Sequence, residues 1–102
     1  MEKKHNMTKL MDFIKYNDIE GLKEAFKNGY DVNEKTKYKT YLLHYATSRS
    51  NIEIIELLIK EGANVNAKDS LFYFTPLFLA NRLEKGEIKN KIIKLLEQHG
   101  AK

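Results

Sequence analysis

A chain of 102 residues, 42% apolar and 31% charged, is long enough for one core, too short for two, and too apolar for a disordered tail. It lacks cysteine, which excludes disulfides, thiol catalysis and Cys-ligated zinc. The net charge of +4 comes almost wholly from lysines interspersed with glutamates, the pattern of a solvated surface rather than of a nucleic-acid groove. The start, MEKKHNMTKLMDFIKYND, has no continuous apolar run of the kind a secretory leader needs, because Asp12 and Lys15 interrupt it. Leu71–Ala80 is the most apolar stretch, yet it is too short to span a bilayer and contains Pro76. The expectation is a soluble cytoplasmic protein.

In Met7–Tyr16, Leu10, Met11, Phe13 and Ile14 share one face of a short helix, and Asn17 breaks it. Asp18 caps a second helix over Ile19–Asn28, with Leu22, Ala25 and Phe26 inward and Gly29 as its stop. Tyr30–Tyr41 has no helical period and reads as a protruding connection. A third helix occupies Leu42–Arg49. The fourth, Asn51–Glu61, places Ile54, Ile55, Leu57, Leu58 and Ile59 in a wide apolar stripe, with Asn51 as N-cap and Gly62 beyond its end. After a second connection, Ala63–Phe74, Thr75-Pro76 is a strong helix start, since proline at the first helical position has no N–H to leave unpaired. Leu77–Lys85 and Ile88–His99 are the fifth and sixth helices, the last stopped by Gly100.

The punctuation recurs. At an offset of 33, Gly62 repeats Gly29, Val65 repeats Val32, Asn66 repeats Asn33 and Glu53 repeats Glu20, while IIKLLEQHGA at Ile92–Ala101 echoes IIELLIKEGA at Ile54–Ala63. A period in the low thirties indicates a helical repeat array. Thr75-Pro76-Leu77-Phe78-Leu79-Ala80, Leu43-His44-Tyr45-Ala46, and Glu53–Ile59 followed by Gly62-Ala63-Asn64-Val65-Asn66-Ala67 resemble the ankyrin repeat. Phe78 stands in place of the motif histidine, Tyr41-Leu42 in place of Thr-Pro, and Lys39 in place of a loop glycine. The resemblance implies an all-α solenoid of three helix-turn-helix repeats, at about residues 1–35, 36–68 and 69–102, joined by β-hairpin-like loops in a single domain. Extra residues around Glu84–Lys89 are expected to lengthen both helices of the third repeat. The terminal repeats are expected to be caps, with Lys89, Lys91, Lys94 and Glu97 keeping the C-terminal end polar.

Among residues able to carry chemistry, His44 matches the motif histidine, for which the resemblance implies structural hydrogen bonds. His99 complements the dipole at a helix end, and His5 lies near the terminus. There is no nucleophile–base arrangement, phosphate-binding glycine loop or H-E-x-x-H motif. No catalytic residue, metal or cofactor is expected. Phe13, Phe26 and Phe78 fall on core positions, whereas Phe72, Tyr73, Phe74, Tyr38 and Tyr41 lie in or beside the connections, where Phe74 is expected to cover helix ends.

The resemblance implies that a partner protein is held by the loop tips and the outward positions of each first helix. In this sequence those positions include Asp12, Lys15, Tyr16, Lys37, Tyr38, Thr40, Tyr45, Ser48, Arg49, Ser70, Leu71, Tyr73, Leu79, Arg82 and Leu83. Arg49 and Arg82 are the only arginines, and both fall on this face. The partner-binding set is therefore Tyr16, Tyr38, Tyr45, Arg49, Leu71, Tyr73, Leu79 and Arg82. Arg49, Arg82, Tyr45 and Tyr73 are expected in one patch that suits an acidic protein surface. The expected role is non-catalytic protein binding by a free monomer, as an inhibitor, immunity-type protein or adaptor. No membrane or specific nucleic acid is expected as partner. A basic nucleic-acid-binding module and a purely structural role are the alternatives.

Overall fold

The computed structural model describes residues 7–102, so His5 lies outside the described residues. Six helices follow in order: α1 Met7–Lys15, α2 Ile19–Lys27, α3 Leu42–Ser48, α4 Ile52–Lys60, α5 Pro76–Asn81 and α6 Glu87–Gln98. They pair as α1 with α2, α3 with α4 and α5 with α6. The first helices then stack in a row, α1 on α3 on α5, while α4 packs on α6 behind them. The result is 41 Å long and 21 Å across its narrowest dimension.

Local chemistry accounts for the helix ends. Asp18 Oδ1 accepts from the Gly21 amide at 2.9 Å, Asn51 Oδ1 from Ile54 at 3.1 Å, and Thr75 Oγ1 from Phe78 at 3.1 Å. Each side-chain oxygen satisfies an amide the first helical turn cannot. Gly29, Gly62 and Gly100 adopt φ of 98°, 100° and 94°, in the left-handed region where a β-carbon is strained. Beyond each of them the chain turns back, and the amides of Tyr30, Ala63 and Ala101 donate to the carbonyls of Ala25, Leu58 and Leu96. The tight turns inside the first two repeats use Asn17 and Ser50 at φ 58° and 57°. Asn51 Nδ2 donates to Asn17 Oδ1 at 2.8 Å, joining one turn to the next.

The core follows the apolar stripe. Leu10, Ile14, Leu22, Leu42, Leu43, Ile54, Ile55, Leu58, Ile92 and Leu96 are fully buried, and Leu57 nearly so. Asparagines fix the register of the repeats. Asn33 Nδ2 donates to the Gly62 carbonyl and its Oδ1 accepts from the Asn64 amide, at 3.0 and 2.8 Å. Asn66 makes the same pair of bonds one repeat on, to the Gly100 carbonyl and the Lys102 amide.

Among the described residues the β pairing in the connections is one isolated antiparallel bridge, Lys35 to Tyr41, in the first loop. Lys39, in the place of the family's loop glycine, turns this first loop at φ 63°. Two expectations need correction. The extra residues of the third repeat lengthen α6 only. α5 stops at Asn81, whose Nδ2 donates to the Leu77 carbonyl, and α6 starts after Gly86 at φ 150°. Phe78 is not a core residue but 40% exposed. On the short α5, Pro76 and Ala80 face inward and leave Phe78 to pack against the loop aromatics.

Candidate functional site

The side of the molecule built from the loops and first helices is set by what holds the two loops. His44, buried near the start of α3, lies with Nε2 2.8 Å from the Phe74 carbonyl and so ties the second loop to the middle repeat. Burial pushes its imidazole below the ordinary histidine value, against weaker opposing pulls from the Phe74 backbone, the Asp69 charge and the Ala67 backbone. Tyr41 stacks on the His44 ring with centroids 5.8 Å apart. Asp69, also buried, shapes the loop tip: its Oδ1 accepts from the amides of Leu71 and Phe72, and its own amide donates to the Phe74 carbonyl. The loops touch where Ser70 donates its amide to the Lys39 carbonyl and Lys35 Nζ meets Ser70 Oγ at 2.7 Å.

Direct contacts gather the expected binding residues into two clusters. The first is an open groove of about 460 Å³ between α1, the first loop and α3, lined by Met11, Asp12, Lys15, Lys37, Tyr38 and Tyr45 among others. Tyr38 is 57% exposed at its rim. Arg49 extends this cluster, with its guanidinium 5.8 Å from the Tyr45 ring. Tyr16 lies exposed at the end of α1, beneath Lys15 Nζ at 5.4 Å, and is not part of the groove lining. The second cluster is an aromatic ladder, Phe72 on Phe74 on Phe78, with centroid spacings of 5.2 and 4.3 Å. Arg82 stands 5.6 Å from the Phe78 ring. Leu71 and Tyr73, 60% and 74% exposed, project from the same loop, and Tyr73 takes φ 59°. Leu79 is half-buried on α5.

Charge is distributed unevenly over these elements. From Lys35 to Ser50 the chain has Lys35, Lys37, Lys39 and Arg49 and no carboxylate, whereas α2, α4 and α6 all carry glutamates. The ion pairs among the described residues, Glu20 with Lys23 and Glu87 with Lys91, lie on α2 and α6. On the loop side the cations rest on rings instead, Lys37 Nζ lying 5.3 Å from the Tyr38 centroid and Lys35 Nζ 6.0 Å from that of Tyr41.

Sequence reasoning misses three members of these clusters. Met11 reads as a core residue but also floors the groove, since it lies on α1 beside the Asp12–Lys15 edge. Phe72 and Phe78 escape because a ladder between a loop and a helix has no sequence period. Among the described residues no three His, Asp or Glu side chains converge, and no helix is long and apolar enough to cross a membrane.

Comparison with known proteins matches residues 10–102 to a family model of ankyrin repeats, in three copies. Serine/threonine-protein kinase 12 of Arabidopsis thaliana is 33% identical over 97 residues, which is 92% of this chain and 19% of the kinase. Putative ankyrin repeat protein FPV233 of Fowlpox virus (strain NVSL) is 40% identical over 57 residues, 55% of this chain and 11% of that protein. Human palmitoyltransferase ZDHHC13 is 35% identical over 86 residues, 84% of this chain and 13% of the enzyme. The chain thus spans less than a fifth of each of these relatives.

Proposed function

From the premise that this chain belongs to the ankyrin-repeat family, whose repeats are protein-interaction modules, we propose that it is a non-catalytic docking module holding one acidic partner protein. The loops and the row α1, α3, α5 form the docking face, with Tyr16, Tyr38, Tyr45, Arg49, Leu71, Tyr73, Leu79 and Arg82 as its contact set. In this reading it acts on its partner as an inhibitor, an immunity-type protein or an adaptor in the cytoplasm, and is a monomer when free. The single observation that carries this reading is the charge segregation of the loop side, where cations stand on aromatic rings with no carboxylate between Lys35 and Ser50. Unpaired cations among exposed tyrosines offer bidentate pairing and aromatic contact to carboxylates, and they accelerate encounter with a negative surface.

The test is affinity capture from the source cell with wild-type and variant chains, followed by affinity measurement on the purified partner. Arg49→Ala and Tyr73→Ala are each expected to weaken binding by more than about 1 kcal/mol with folding unchanged. Lys91→Ala, exposed on α6 away from the loops, is expected to change nothing. Loss of binding on Lys91→Ala with full retention in the other two would move the partner to the opposite side of the array.

A further inference from the structure

The groove between α1, the first loop and α3 has features of its own, and assigning it an occupant rests on the docking function proposed for this face. Its volume of about 460 Å³ lies in the lower part of the range typical of small-ligand sites, enough for one large side chain with its backbone. The floor is Met11, whose unbranched thioether adapts to different apolar shapes, beside the half-buried Tyr45. The rim carries the exposed Tyr38 ring, with Lys37 on the loop side and Lys15 on the α1 side. Both ammonium groups are held near tyrosine rings, and neither is within ion-pair distance of a carboxylate among the described residues. A hollow lined by Met11, Tyr38 and Tyr45 between two cations, with Asp12 as the one carboxylate in its lining, suits an apolar anchor between two acids.

We propose that this groove takes a single bulky apolar side chain from an extended segment of the partner, flanked on both sides by carboxylates. Lys15 and Lys37 meet the flanking acids, Met11, Tyr45 and Tyr38 enclose the anchor, and Asp12 accepts a backbone N–H of the segment. A nucleic acid fits less well. One face of the Tyr38 ring already faces Lys37, which limits base stacking.

The experiment is fluorescence anisotropy of the full chain with three labelled probes of matched charge: a short polyglutamate peptide with one central phenylalanine, the same peptide with alanine at the centre, and an oligothymidylate. The phenylalanine peptide is expected to bind at least about tenfold tighter than the alanine peptide at physiological salt. Tyr38→Ala and Lys37→Glu, both at an exposed tip where circular dichroism confirms the fold, are expected to cost about tenfold each. Lys91→Ala, exposed on α6 away from the groove, is expected to leave peptide affinity unchanged. Equal affinity for the two peptides, tighter binding of the oligothymidylate, or no effect of Tyr38→Ala would overturn the proposal. The docking function is judged separately: release of the captured partner by Arg49→Ala and Tyr73→Ala upholds it even where the peptides fail and the groove proposal falls.

Discussion

Leu58→Ala is expected to lower the unfolding free energy by about 2–5 kcal/mol, the range for emptying a leucine-sized volume in a packed core. Leu58 is fully buried on α4, among the stripe that includes Ile54 and Ile55. Its carbonyl also receives the Ala63 amide at 2.9 Å, so the side chain sits where the helix end is anchored. Domains of this size have about 5–15 kcal/mol in total, so the variant should be partly unfolded at moderate urea. Urea denaturation followed by circular dichroism measures it. A change below about half a kcal/mol, the level of ordinary surface substitutions, would show that α4 is not the centre of the core.

His44→Gln carries the second large effect, expected to cost about 1–3 kcal/mol by disturbing a hydrogen bond that a buried group makes to the Phe74 carbonyl. Its pH dependence is also specified. Burial lowers the folded-state pKa of His44, so the folded state favours the neutral ring. Above about pH 6.5, the ordinary histidine value, the ring is neutral in both states and its contribution is complete. As the pH falls below that value the unfolded chain takes up the proton first, and stability declines until the pH passes the lowered folded value. Urea midpoints measured across this window should slope downward toward acid for the wild type and much less for His44→Gln. Equal slopes would mean that another group carries the dependence. Since His44 holds the second loop through Phe74, loss of this bond should also loosen Leu71 and Tyr73, coupling acid sensitivity to docking.

Much of this architecture can be read from the residues because its determinants are local. Asn51 and Thr75 cap the helices they precede, Gly62 and its equivalents end them, and the stripe from Ile54 to Leu58 is buried as its spacing requires. What escapes is set by longer-range geometry. Nothing local distinguishes Ser50 or Tyr73 as left-handed residues, yet each turns the chain at φ near 60° because the surrounding hydrogen bonds fix it there. The added residues after Leu83 could extend either helix of the third repeat by propensity alone. They extend only α6, because α5 ends at Asn81 and Gly86 opens the next helix. The candidate site divides the same way. Its cations and tyrosines are legible one by one, but the groove floor at Met11 and the Phe72–Phe74–Phe78 ladder exist only once helix and loop are brought together.

The neighbour-to-neighbour packing of the helices has a mechanical corollary. α3 rests on α1, α4 and α5, whereas the outer helices lean on the middle pair and chiefly on their own hairpin partners. The helix packed on both sides, α3, is expected to hold the slowest-exchanging amides among the described residues. A partner that grips both the α1 groove and the Phe78 end would bridge the first and third repeats across the middle one, adding to the loop contact between Ser70 and Lys39. Docking would then act as a clasp, coupling the opening of the two ends.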